Sequence, residues 1–416
     1  MVKTPINFIF ESDKDSTNGS PRNSYRGPLH NLILDAVRKL PVFYSYTENL
    51  EVKTECLNIL FFEVNRAEME IKRIAKLYKN WIIENNVNII LANIADPTNQ
   101  DIYESSQNRL EKCGLKDWTH WIDTNNRLKD MGAHTFDYFI EEIINHQNVM
   151  GNLFNHGEKN ELGYVSTDID ENDLDNFRNK KFLSFNRVLT PKYHRSKLFL
   201  DYNLYNLGEE SSFSFLEYER IRGYGGWNWI SEFKETNEYT LELIEKSIDL
   251  LPIQLDTKNW NDNRHIDNPI TGFQTSNTFK SELFLDSCIN IVTETSFQFN
   301  ELFVSEKILK PIIMYQPFIV FSGYGYLKYL REIGFKTFGD FWDESYDDIE
   351  DFEKRYQKII SLILELNMKS IDELNDLYKS VKDICIYNRK HLFKIMEKIE
   401  KNFHKVRTNK NNKQLI

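Results

Sequence analysis

Ile289-Asn290-Ile291-Val292-Thr293-Glu294, then Val304-Ser305-Glu306-Lys307-Ile308-Leu309-Lys310-Pro311, then Pro317-Phe318-Ile319-Val320-Phe321, reads as strand, helix start and strand. Two short apolar runs on either side of a helical pattern imply a strand-helix-strand unit, and open α/β sheets bind their ligands beyond the carboxyl ends of such strands. Ser305 stands where it can cap a helix whose first residues are Glu306 and Lys307. The open N–H groups and partial positive charge of that helix start, with a lysine beside them, suit a diphosphate. A carboxylate next to them suits the two hydroxyls of a ribose. A capped helix with a solvated Glu-Lys pair is the plainer alternative. Glu294, Thr295 and Ser296 leave the first strand at its carboxyl end and flank the same crevice, or are ordinary polar residues of a strand end. Pro311, inside the helical pattern, predicts a kink or a later helix start.

Working outward, the same alternation recurs. Short apolar strands are expected over 6–10, 57–62, 87–92 and 118–122, with an amphipathic helix over 67–83 built on Met69, Ile71, Ile74, Leu77, Tyr78 and Trp81. The chain turns polar over 155–181, where a domain boundary is expected. A strand at 182–185 reopens the pattern and is followed by Asn186, Arg187 and Arg195, the arginines able to grip a diphosphate bidentately or to serve as ordinary surface and helix-face cations. Helices are expected over 194–207, 239–250 and 326–333, with Gly334 at the helix end and a strand over 336–338. Helices over 348–366 and 370–403 complete the chain, the second opened by a Ser370/Glu373 capping box and carrying Leu374, Leu377, Val381, Ile384, Leu392, Ile395 and Ile399. The polar, basic stretch 405–416 is expected to be disordered.

With 416 residues, 41% of them hydrophobic and 14% aromatic, the chain has material for two cores. The resulting organisation is a domain over 1–175, a second over 176–345, helices over 346–403 and a tail over 404–416. A net charge of −11 repels nucleic acid and anionic membranes at long range. The four cysteines form no C-x-x-C pair, which points to a reducing, intracellular setting, the cytoplasm. No run is long enough for a membrane span. Asp168-Ile169-Asp170 has the spacing of a metal-diphosphate site but lies in the acidic linker, where solvated charge is the simpler reading. Asp340, Asp343, Glu344, Asp347 and Asp348 read as a helix-entry cluster, and Gly223 to Trp227 lacks the Lys-Ser/Thr of a phosphate loop. The histidines show no metal-ligand spacing, so no metal is expected.

The order Lys181-Phe182-Leu183-Ser184-Phe185-Asn186, Arg195, Val292-Thr293-Glu294-Thr295-Ser296, Phe303-Val304-Ser305-Glu306-Lys307 and Gln316-Pro317-Phe318-Ile319-Val320 resembles the donor domain of alpha-1,3-fucosyltransferase-like glycosyltransferases of the GT-B type. There an E-N-S element precedes a Y-V-T-E-K element and a V-P-V-V strand. The stretch from Tyr329 to Phe338 also looks like a group of viral and bacterial glycosyltransferase-like proteins. The resemblance, over about 180–345, implies a GT-B fold of two Rossmann-like domains facing a cleft, with an acceptor-binding first domain and a nucleotide-sugar-binding second one. It implies that Arg195 and Lys307 contact the diphosphate, Glu306 the ribose, and Glu294 or its neighbours the sugar. The donor implied is a GDP-sugar, with a UDP-sugar open, and the acceptor a glycan, lipid or protein hydroxyl. The family's T-G-E-N loop has Asp123-Thr124-Asn125-Asn126 as its local counterpart, with asparagine where the family holds its glutamate.

Inverting transfer needs a carboxylate to take the acceptor proton, while the departing diphosphate is stabilised by cations and helix starts. Glu11, Asp13, Glu63, Asp96 and Asp123 stand at strand ends of the first domain and are candidates, with Asp96, Asp123 and Glu63 the nominated catalytic set. A retaining route, in which the leaving diphosphate takes the proton, is the alternative. A noncatalytic protein on a degenerate glycosyltransferase fold and a phosphoryl or sulfuryl transferase are the competing functions.

Overall fold

The computed structural model describes residues 6–10, 42–46, 52–63, 67–93, 97–135, 171–186, 189, 192–215, 233, 238–251, 253, 255, 281–299 and 301–411. The chain divides into two compact units, one of residues 1–149 with 301–303 and 395–416, the other of residues 150–300 with 304–394. Each is built on a wholly parallel sheet, which makes the protein an α/β protein.

In the first unit, β1 (Ile6–Phe10), β2 (Val42–Tyr46), β3 (Leu57–Glu63), β4 (Asn88–Asn93), β5 (Thr119–Asp123) and β6 (His134–Thr135) form one sheet in the order β2-β1-β3-β4-β5-β6. Helix α1 (Ala67–Glu84) joins β3 to β4 and α2 (Gln100–Cys113) joins β4 to β5. Leu60, Ile89, Leu91 and Trp121 from the strands pack with Ile71, Ile74, Tyr103 and Leu110 from the helices. Burial in α1 follows Ile71, Ile74 and Ile82, so Met69 and Leu77, expected on the inner face, are 63% and 55% exposed. Helix α2 has only Tyr103, Ser106 and Leu110 buried, too thin a stripe for periodicity to declare, but its ends are written in the sequence. Asn99 accepts from the Ile102 N–H at 2.8 Å, and Gly114 ends the helix at φ 69°, a conformation costly for residues with a Cβ.

In the second unit, β7 (Lys180–Asn186), β8 (Ser212–Phe215), β9 (Ser287–Thr293) and β10 (Phe318–Phe321) are ordered β10-β9-β7-β8. Every residue of β9 and β10 is buried, as expected for parallel strands covered on both faces. Read from the other edge, β8-β7-β9-β10 repeats the β2-β1-β3-β4 order of the first sheet. Such an order reverses between its first and third strands, and the loops leaving that pair diverge to open a crevice. In this unit the pair is β7 and β9.

Helices α3 (Tyr193–Leu204), α4 (Leu241–Asp249), α5 (Ser281–Leu285), α6 (Glu306–Ile313), α7 (Tyr326–Glu332), α8 (Phe352–Asn367) and α9 (Ile371–Asn411) follow. The capping box opening α9 is formed: the Ser370 N–H donates to Glu373 at 2.7 Å and the Glu373 N–H to Ser370 Oγ at 3.2 Å. The deepest stripe of α9 is Leu374, Tyr378, Val381, Cys385, Asn388 and Leu392, which leaves Leu377 and Ile384 only half buried.

Four expectations need correction. The segment 336–338 is no strand, because its backbone is satisfied by side chains: Lys336 exchanges both amide bonds with Asn388 at 2.8 and 2.9 Å, and the Phe338 N–H donates to Glu344 at 2.7 Å. Helix α6 begins at Glu306 with Pro311 inside it, not later. The tail expected to be disordered from 405 is helical to Asn411. Most of the acidic run does not open α8, whose cap is Asp351; instead the buried Asp347 accepts from the Leu327 and Lys328 N–H groups at 2.8 and 2.9 Å and closes the start of α7. The linker over 155–170 with Asp168 and Asp170, the glycine-rich loop 223–227, and Glu11, Asp13, Asp96 and Arg187 lie outside the described residues. Among the described residues no helix is long and apolar enough to cross a membrane, and no group of three or more His, Cys, Asp or Glu side chains is placed to hold a metal.

Candidate functional site

Asn186 ends β7 and Thr293 ends β9, and the two are tied by a Thr293 Oγ1 to Asn186 Oδ1 bond of 2.7 Å, with Asn186 Nδ2 donating to Ser184 Oγ at 3.1 Å. Asn186 is fully buried, so it fastens the carboxyl ends of β7 and β9 to each other. Glu294 follows β9 and is 1% exposed. Burial raises its carboxyl above the usual range, against the pull of Lys307 and of hydrogen bonds from Ser305 and Tyr326. Its peptide carbonyl accepts from His194 Nε2 at 2.9 Å and from Arg195 at 3.1 Å. Burial, with Arg195 and Lys192 nearby, holds His194 well below the ordinary imidazole range, so the ring is neutral and donates through Nε2–H.

Arg195, expected on a diphosphate, is 5% exposed and spends its Nη2 on the carbonyls of Thr293 and Glu294. It braces the end of β9. Ser296 is also buried, whereas Thr295 is partly open.

The open part of the site is the start of α6. Ser305, fully buried, accepts from the Lys307 N–H at 3.2 Å and so caps the helix as the sequence implies. Lys307 Nζ lies 2.8 Å from Glu306, 3.3 Å from Thr295 Oγ1 and 3.4 Å from Ser305 Oγ, with the two charged side chains 27% and 14% exposed. Burial works to raise the Glu306 carboxyl, but the Lys307 and Lys310 charges and the hydrogen bonds outweigh it, so it stays below the usual range and ionised. A half-open ammonium, a threonine hydroxyl and a helix start together form a small anion-binding surface with a carboxylate at its edge.

The nominated catalytic residues divide. Asp123, last residue of β5, is fully buried and accepts from the N–H groups of Thr98 and Asn125 at 3.2 and 2.8 Å and from Trp121 Nε1 at 3.0 Å. Burial raises its pKa, opposed by those bonds and one from the Thr98 hydroxyl. A carboxylate so enclosed fastens two loops and has no open oxygen for an acceptor. Glu63 is the last residue of β3, two positions beyond the partner of Phe10 in β1.

Tyr326 is the site residue the sequence does not announce. Its hydroxyl donates to Glu294 Oε1 at 2.7 Å. Only the order of the strands, which brings the start of α7 beside the end of β9, shows that it belongs there.

No protein-family model and no curated protein matches this chain. Among solved structures, an alpha,alpha-trehalose 6-phosphate synthase from Burkholderia multivorans is similar at a TM-score of 0.36 and 10% identity, over 100% of this chain and 99% of that one, a superposition too loose to carry function.

Proposed function

We propose that this chain is a metal-independent glycosyltransferase of the GT-B, fucosyltransferase-like kind. It takes a nucleotide-diphosphate sugar, GDP-linked in preference to UDP-linked, and transfers the sugar to a hydroxyl of a glycan, lipid or protein acceptor. The observation that supports this reading is the start of α6. It lies at the carboxyl end of a parallel sheet, beside the crevice that the strand order opens, and presents Lys307, Thr295 and an ionised Glu306. In the proposed complex Lys307 and the helix start take the charge that develops on the departing diphosphate, and Glu306 accepts from the ribose hydroxyls. Acceptor binding is assigned to the first unit. Glu63 and Asp96 remain as proposed bases there, while the enclosed Asp123 is not retained.

Thermal-shift measurements against nucleoside diphosphates and nucleotide sugars test the proposal. GDP at a hundred times its Kd should stabilise the protein by about 2.7 kcal/mol, and Lys307→Ala, weakening GDP about tenfold to a hundredfold, should cut that at the same GDP concentration to about 1.4 to 0.4 kcal/mol. If no nucleotide stabilises the folded protein, or if the variant responds as the parent does, the reading fails. The burial of Asp123, with asparagine beside it, favours one second reading: a noncatalytic binding protein on the same fold. Slow donor hydrolysis without acceptor supports the enzyme, and nucleotide binding with neither hydrolysis nor transfer supports the alternative.

A further inference from the structure

Glu294 stands at the open end of β9, yet both of its oxygens are engaged inside the protein. Oε1 accepts from the Tyr326 hydroxyl at 2.7 Å and the Ser305 N–H at 3.3 Å; Oε2 accepts from Ser305 Oγ at 2.5 Å and the Thr295 N–H at 3.3 Å. The Ser305 proton is thereby committed to Glu294, which turns the lone pairs of Ser305 toward Lys307, whose N–H is 3.2 Å away and whose Nζ is 3.4 Å away. Thr295, held through its own N–H by the same carboxylate, places its hydroxyl 3.3 Å from that Nζ. Both polar contacts of Lys307 outside its pairing with Glu306 therefore trace back to one buried carboxylate, and that carboxylate is fixed from the opposite side by Tyr326. A carboxyl group is expensive to bury, and an apolar side chain would close the space at less cost. Its use here is orientation.

We infer, resting on the reading that Lys307 and Thr295 receive a diphosphate, that Glu294 and Tyr326 are positioning residues for that ligand. The Tyr326–Glu294–Ser305 chain sets the Lys307 ammonium and the Thr295 hydroxyl at the start of α6 while touching no ligand atom. The assignment moves Glu294 from sugar contact to support, and gives a part in binding to Tyr326, which is fully buried.

Calorimetric titration with GDP and with inorganic diphosphate tests this on the full chain carrying Tyr326→Phe, Glu294→Gln, Lys307→Met, and each of the first two combined with the third. Tyr326→Phe keeps the ring and its packing and should weaken both ligands about threefold to tenfold; Glu294→Gln should weaken them about tenfold. In the Lys307→Met background the larger part of both losses should vanish, because they act chiefly through the ammonium, and only the smaller share carried by the Thr295 hydroxyl should persist. Full-sized losses retained in that background would show a general effect on the fold and overturn the inference. So would unchanged Kd values in both single variants. If Lys307→Met alone leaves both Kd values unchanged, the diphosphate reading itself fails and the inference falls with it.

Discussion

Asp123 and Glu294 are two buried carboxylates at the carboxyl ends of parallel strands, one in each unit, and both are pushed up by burial. Their partners differ. Asp123 is met by two backbone N–H groups, an indole N–H and a threonine hydroxyl that itself accepts from Asn93 at 2.8 Å. Glu294 is also met by two backbone N–H groups, of Ser305 and Thr295, but its other two donors are hydroxyls that can turn, with a partly exposed ammonium nearby. A carboxylate whose donors are all fixed or committed holds loops together, whereas one that has two free-turning hydroxyls among its donors, one of them touching an accessible cation, can place that cation. Strand-end position alone does not tell the two apart; the identity of the donors does.

The sharpest test of that contrast is stability. Asp123→Asn puts an amide NH2 against groups that can only donate or are already committed, and should lower the unfolding free energy by about 3 kcal/mol or more. Glu294→Gln should cost less, roughly 1–2 kcal/mol, because on either side the Ser305 or Tyr326 hydroxyl can rotate to accept from the NH2, and only one backbone N–H, of Ser305 or Thr295, loses its acceptor. Urea midpoints at constant m-value decide, and equal losses would erase the distinction. Next in size is ligand binding. Lys307→Ala should weaken GDP about tenfold to a hundredfold, the worth of one charge-assisted contact, while shifting the stability of the unliganded protein by less than about 0.5 kcal/mol. Glu306→Gln should act differently again. Freed of its neighbour, Lys307 should hold inorganic diphosphate as well as before or better, while the preference for GDP over inorganic diphosphate drops about fivefold, and an unchanged preference would remove Glu306 from ribose recognition.

The smallest effect is on pH dependence, and its sign is fixed. Glu294 and Asp123 have folded pKa values above the ordinary 4.5 and 3.8, so the folded state holds their protons more tightly than the unfolded state does. Their contribution is full below those ordinary values and is lost as pH rises through the raised ones. Glu294→Gln and Asp123→Asn should therefore flatten the fall in stability over that window. Asp343 is the control of opposite sign: hydrogen bonds from Lys358 and Ser345 hold it at about 2. Its contribution is present above 3.8 and lost as pH falls toward 2, so Asp343→Asn should lower stability above 3.8 and flatten the fall between 3.8 and 2. Acid titration of the unfolding midpoint separates the three.

The start of α6 was legible because its signals are local. Ser305 caps, Glu306 and Lys307 follow, and the apolar runs on either side are strands whatever they pack against. The same holds for the Ser370/Glu373 box. What the sequence concealed is long-range. Segment 336–338 has the composition of a strand, but Asn388, in a distant helix, takes its backbone groups. Arg195 looks like a cation for a ligand until two carbonyls at the end of β9 claim it. Asp347 closes the start of α7 from about twenty residues downstream, which no helix-start pattern registers.

Hydrophobic spacing and capping chemistry act within a few residues, and for that reason the chain by itself determined an α/β protein with a capped helix start at Glu306 and Lys307. Strand order decided the rest. It set β7 beside β9, brought Tyr326 to Glu294, and turned Asp123 inward, because which donors surround a carboxylate depends on segments far apart in the chain and close only in the fold.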